Sequence, residues 1–139
     1  MRKVRSSEGF FSMDLLLAFA LLVLVFSSLS NLHRSRLIVA KSAETTLEAK
    51  VVGEKLAASI NTVYANGPEL ELRIDLPEKI GGDEYSVSFD DSTREIVVKP
   101  SSGPEVKTGV VCNVLIHQLD PSKPIRIYWE NDRVEVANV

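Results

Sequence analysis

Cysteine occurs once in this chain of 139 residues, at Cys112, which leaves no partner for an intrachain disulfide and no cysteine metal site. Histidine occurs only at His33 and His117. Neither has a Cys, Asp or Ser at a spacing that makes a catalytic set, so metal-dependent and nucleophilic hydrolysis have almost no raw material. No phosphate loop, dinucleotide fingerprint or Asn-x-Ser/Thr sequon is present. These absences point away from an enzyme and imply no cofactor. Charge of one sign is also short where nucleic acid would need it. Residues 1–66 carry eight basic and five acidic side chains, whereas residues 67–139 carry eight basic and fourteen acidic ones. A net −6 over the second half gives no clustered basic face, so no nucleic-acid partner is expected.

The scarcity of helix breakers is the next clue. No proline precedes Pro68, and Gly53 is the only glycine between Gly9 and Gly67. Leu15 to Leu32 is a run of eighteen residues without a charge, and Phe10 to Leu32 makes 23 residues. A helix needs about 20 mostly apolar residues to cross ~30 Å of hydrocarbon. The rest of the chain is too short to wrap such a helix as a soluble core, so membrane insertion or export is expected. Three versions stay open on the residues. The segment reads as a Sec signal peptide cut at Ser28-Leu29-Ser30, as a plain signal anchor, or as a segment in which Asp14 has a purpose. A carboxylate inside the apolar run costs at least ~2.5 kcal/mol at the bilayer centre and less near an interface.

The third version has a family behind it. Gly9-Phe10-Phe11-Ser12-Met13-Asp14-Leu15-Leu16-Leu17 resembles the processing site of type IV prepilins and related pilin-like proteins. In that family a short basic leader ends in glycine, an acidic residue stands fifth after the cut, and a retained apolar helix follows. The resemblance implies a leader 1–9, with Gly9 its last residue and Phe10 the new amino terminus, cut on the cytoplasmic side by a membrane prepilin peptidase. It implies that Asp14 pairs with the Phe10 amine of a neighbouring subunit in a filament. It also implies an assembly ATPase and a polytopic membrane platform as partners. Physics agrees with the placement. Glycine lets a protease approach the backbone closely. A charge pair in an apolar core disfavours every slipped register that would leave one charge alone. The missing paired cysteines, with the β-rich remainder, are similar to archaeal pilin-like proteins that carry class III signal peptides.

Charge does not set orientation. Arg2, Lys3 and Arg5 precede the span, and Arg34, Arg36 and Lys41 follow it, so the positive-inside count is a tie. The resemblance alone implies a cytoplasmic amino terminus, an external C-terminal domain and, after assembly, a cell-surface filament.

Beyond Leu32 the helical pattern continues. Leu37, Ala40, Ala43 and Leu47, then Val52, Leu56, Ile60 and Val63, recur at three- and four-residue spacing. Lys50 and Glu54 can pair at i,i+4. Asn66-Gly67-Pro68 supplies the stop. One helix over residues 10–66, about 57 residues and ~85 Å long at 1.5 Å per residue, is expected. Its transmembrane or filament-core part is 10–32 and its amphipathic part 33–66.

From residue 67 the period becomes two. Leu70, Leu72, Ile74 and Leu76 alternate with charges; Ile80-Gly81-Gly82-Asp83 turns; Tyr85, Val87 and Phe89 alternate; Asp90-Asp91-Ser92-Thr93 turns into Ile96-Val97-Val98. Pro100 to Gly109 reads as a polar loop. Val110, Cys112, Val114 and Ile116 alternate, as do Ile125, Ile127 and Trp129, and Asn131-Asp132 turns into Val134 and Val136. The expected fold is α+β: the long helix packed on a small antiparallel sheet of five or six strands, residues 67–139. Within it Asp90-Asp91 with Glu95 reads as a solvated hairpin tip rather than a calcium loop. Cys112 reads as apolar filler, His117 as a surface residue, and Trp129 as core rather than an adhesive surface shared with Tyr128.

Two functions follow. One is a structural subunit, major or minor, of a pilus-like filament or pseudopilus, self-associating through its helix. The other is a single-pass anchored binding module that does not polymerise.

Overall fold

The computed structural model describes residues 8–139, with side chains from Met13 onward. Residues 1–7, most of the expected leader, and the Phe10 side chain lie outside the described residues; the backbone of Gly9 and Phe10 falls within the first helix. The chain divides into two compact units between Ala40 and Lys41.

Helix α1 runs Glu8–Asn66, 59 residues, as the lack of proline allows. It stops because Gly67 takes a left-handed φ of 81° and its N–H donates to the Val63 carbonyl at 3.0 Å, satisfying a carbonyl the helix leaves open. Seven strands follow among the described residues: β1 Leu72–Ile74, β2 Tyr85–Asp90, β3 Glu95–Pro100, β4 Val106–Gly109, β5 Val114–Ile116, β6 Ile125–Glu130 and β7 Arg133–Asn138. They form a four-stranded sheet, β1-β6-β7-β5, and a three-stranded antiparallel sheet, β2-β3-β4. The fold is α+β, with the helix packed on mainly antiparallel sheets.

Three expectations need correction. The strands make two sheets rather than one, and β5 pairs with β7 in parallel. That follows from the hairpin: β6 turns back into β7, and β7 occupies the place beside β5. The segment read as a polar loop contains β4, whose Val106 lies opposite Val98 and whose Thr108 lies opposite Ile96. The buried face of the helix is as expected at Val52, Leu56, Ile60 and Val63 but differs before them. Ala49, Val52, Leu56, Ile60 and Val63 are buried in one cluster with Ile80, Ile96, Val98, Ile125, Ile127, Val134 and Val136. Leu37 and Leu47 instead stay 58% and 64% exposed, and Ala40 and Ala43 are exposed too. Two apolar stripes satisfy the same spacing, and only the one facing the sheets is covered. Thr45 is buried as well, its hydroxyl donating back to the Lys41 carbonyl at 3.0 Å so that this donor is satisfied.

Gly53 marks a close crossing. A Cβ there would stand 2.7 Å from the Thr108 Oγ1 of β4 and 3.5 Å from its Cβ. Alanine is better than glycine in a helix interior by ~1 kcal/mol, and this clash cancels the gain. Gly53→Ala is therefore expected to be neutral or destabilising alone. In a Thr108→Ala background it should stabilise by about 1 kcal/mol, read as a shift in denaturation midpoint.

The β1–β6 register sets Arg73 directly opposite Arg126, a like-charge pair that opposes pairing. Glu71 offsets it, accepting from the Arg126 Nη2 at 2.7 Å and lying 3.4 Å from the Arg73 Nε. The Arg126 hydrogen bond holds the Glu71 carboxyl below its ordinary value of 4.5. A lowered folded-state value means the contribution is present above that ordinary value and is lost as pH falls through the folded one. The melting advantage of wild type over Glu71→Gln should be steady at neutral pH and vanish in acid.

Candidate functional site

Every side chain from Met13 to Glu44 is exposed. The apolar part of this stretch has a mean hydropathy of 2.3 over its best eighteen residues, none of it buried. Leu15, Leu17, Phe19, Leu22, Leu24 and Phe26 are each at least 64% exposed. Burying one such side chain is worth about 1.5–3 kcal/mol, so a contiguous surface of this size does not persist in water. The helix is long and apolar enough to cross a membrane.

Two hydroxyls of this stretch are turned back on the helix itself. Ser28 Oγ donates to the Leu24 carbonyl at 2.9 Å, and Ser35 Oγ to the Asn31 carbonyl at 3.1 Å. Hydroxyls returned to the helix backbone present no unmet donor to lipid or to a packed neighbour. Past the apolar run, His33, Arg34 and Arg36 share a shallow groove with Ser27, Ser30 and Asn31, where a headgroup layer would lie.

Asp14 sits near the start of the described side chains, exposed, with Leu15, Leu16 and Leu17 following it. Among the described residues it has no ion-pair partner.

The other singled-out residues fall elsewhere. Asp90 Oδ1 accepts from the Ser92 N–H at 2.9 Å and from its hydroxyl; these bonds hold the carboxyl below the usual range and close the hairpin tip. Among the described residues no three His, Cys, Asp or Glu side chains cluster as metal ligands would. His117 is exposed just beyond β5, 3.3 Å from the Glu135 carboxylate. Cys112 is 7% exposed, and burial pushes its thiol up. Tyr85 is pushed up to about 12 by burial, with its hydroxyl donating to the Pro77 carbonyl at 2.7 Å.

Trp129 and Tyr128 do not share a surface. Adjacent strand residues point to opposite faces, and Tyr128 lies under the Arg126 guanidinium, 4.6 Å from ring centroid to Cζ. Trp129 donates its indole N–H to the Val63 carbonyl at 3.0 Å and stacks on Tyr64, centroids 5.7 Å apart and planes 18° apart. Nothing in the sequence pattern links positions 64 and 129.

No protein-family model matches this chain, and neither a curated protein nor a solved structure matches it.

Proposed function

We propose that this chain is a structural subunit of a type IV pilus-like filament or pseudopilus. It enters the membrane as a precursor with its amino terminus cytoplasmic, and a prepilin peptidase cuts after Gly9. Assembly then runs through the N-terminal helix, with an ATPase and a membrane platform extracting subunits from the bilayer. Lipid holds the apolar segment before assembly, and other copies of the same segment hold it afterwards.

One observation carries the reading. The fold leaves the whole apolar segment after Met13 uncovered, and the sequence sets a carboxylate, Asp14, at its head. An anchor needs the first feature and gains nothing from the second. A polymer uses both, because hydrocarbon surface drives association without direction and a buried charge pair selects the register.

Mass spectrometry of the native amino terminus tests it. The expected mature chain begins at Phe10. A chain beginning at Asn31 means Sec export, and an intact Met1 means an anchored module; either result ends the filament reading.

A further inference from the structure

Near the C-terminal end of α1 a cavity of about 270 Å³ opens on the surface, and filament assembly through the apolar helix makes no use of it. Tyr64 and Trp129 line it as a stacked pair. The Trp129 N–H is taken by the Val63 carbonyl, so the indole offers only apolar surface, while Tyr64 remains 45% exposed. Around the rim stand Arg94, Asn113, Asp132 and Arg133.

The rim chemistry is selective. Arg94 has no ion pair among the described residues, and Arg133 engages Glu135 through its Nε at 3.4 Å, which leaves its terminal nitrogens for another acceptor. Arg94 also holds a left-handed φ of 56°, a conformation that suits glycine far better than arginine. Asp132 at φ 63° is ordinary for a two-residue hairpin turn.

We infer that this cavity binds a carboxylated sugar, a uronic-acid unit of an acidic polysaccharide. A pyranose ring offers a flat C–H face to lie on the exposed aromatic surface. Its carboxylate meets the guanidinium groups, which recognise planar oxyanions through paired hydrogen bonds. Its hydroxyls donate to Asp132 and exchange hydrogen bonds with Asn113. Other ligands satisfy fewer of these groups. Inorganic phosphate leaves the aromatic surface uncovered and meets the Asp132 carboxylate. An acidic peptide supplies the anion without a ring and hydroxyls at the same point. A cavity of this size holds one sugar ring, and its open rim lets a longer chain run across. The inference does not depend on polymerisation.

Trp129 is the only tryptophan, so its fluorescence reports on this cavity in the full-length chain, held in detergent micelles. Titration with oligogalacturonate should give a saturable change in emission, and neutral oligogalactose should bind at least about tenfold more weakly. Arg94→Gly removes the guanidinium while relaxing the left-handed backbone. It should melt no lower than wild type yet bind oligogalacturonate at least about tenfold more weakly. Tyr64→Ala gives a second loss of binding through the aromatic surface. No saturable change, equal binding of the neutral sugar, equal response to poly-glutamate, or wild-type affinity in Arg94→Gly would each overturn the inference.

Discussion

Asp14→Ala is expected to enter the membrane as well as wild type or better, and to be lost from sheared surface filaments. The two halves of that result have different causes. Insertion depends on the apolar run after Asp14, and removing a carboxylate from its edge takes away a cost. In the proposed filament, incorporation depends on a partner for the Phe10 amine that the proposed cleavage creates. With Asp14 gone, that amine is buried among neighbouring apolar helices without a counter-ion, and breaking a buried pair in this way costs about 3–5 kcal/mol. At 1.4 kcal/mol per factor of ten, incorporation falls by roughly a hundredfold to a few thousandfold. Asp14→Asn keeps the shape without the charge and should fail like alanine. Asp14→Glu keeps the charge with a longer reach and should recover most of the incorporation. Comparing subunit content of the membrane and sheared fractions reads both halves together. Wild-type filament content in Asp14→Ala would remove the registry role and leave the apolar helix as an anchor.

The parts of this molecule that were legible beforehand are those written in local chemistry. Asn66-Gly67-Pro68 ends the helix because glycine tolerates the left-handed turn and proline cannot continue it. The apolar run and Asp14 are visible because an uncharged stretch of that length has few uses. Strands β2, β3, β6 and β7 alternate visibly because a half-buried sheet demands it. What stayed hidden was set at a distance. Val106-Lys107-Thr108-Gly109 has little strand character alone and becomes β4 by pairing with β3. The covered stripe of α1 includes Thr45 and Gly53, which hydropathy places outside a core. One is buried because its hydroxyl finds a backbone carbonyl, the other because β4 passes too close for a side chain. Glu135 is a similar case: it is 5% exposed between two buried valines, with His117 and Arg133 at its carboxylate. For the candidate site, a sequence can show that a segment is apolar. Only coordinates show that nothing among the described residues covers it.

Gly81→Ala should be among the most damaging single-methyl additions in the sheet-bearing unit, and Gly82→Ala, one residue on, should be much milder. Both glycines hold left-handed backbone, φ 61° and 88°, in a turn closed by reciprocal bonds between Ile80 and Asp83 at 2.9 and 3.1 Å. An alanine at either position incurs the left-handed penalty of ~1–2 kcal/mol. At Gly82 that is all, since a Cβ there meets nothing within 4 Å. At Gly81 a Cβ would overlap the Thr45 hydroxyl. Thr45 cannot swing clear, because it is 1% exposed and is bonded to the Lys41 carbonyl. Relief by shifting the turn would stretch the 2.6 Å bond from the Gly81 N–H to the Glu48 carboxylate. Overpacking of this kind adds ~1–3 kcal/mol, so Gly81→Ala should lose about 2–5 kcal/mol in total. Denaturation followed by Trp129 fluorescence measures both variants. Thr45→Ala should narrow the gap between them without closing it, because the alanine Cβ still stands where the threonine Cβ lies 3.2 Å from the added methyl. Equal losses at Gly81 and Gly82 would mean that backbone conformation alone, and not the contact with α1, requires glycine at position 81.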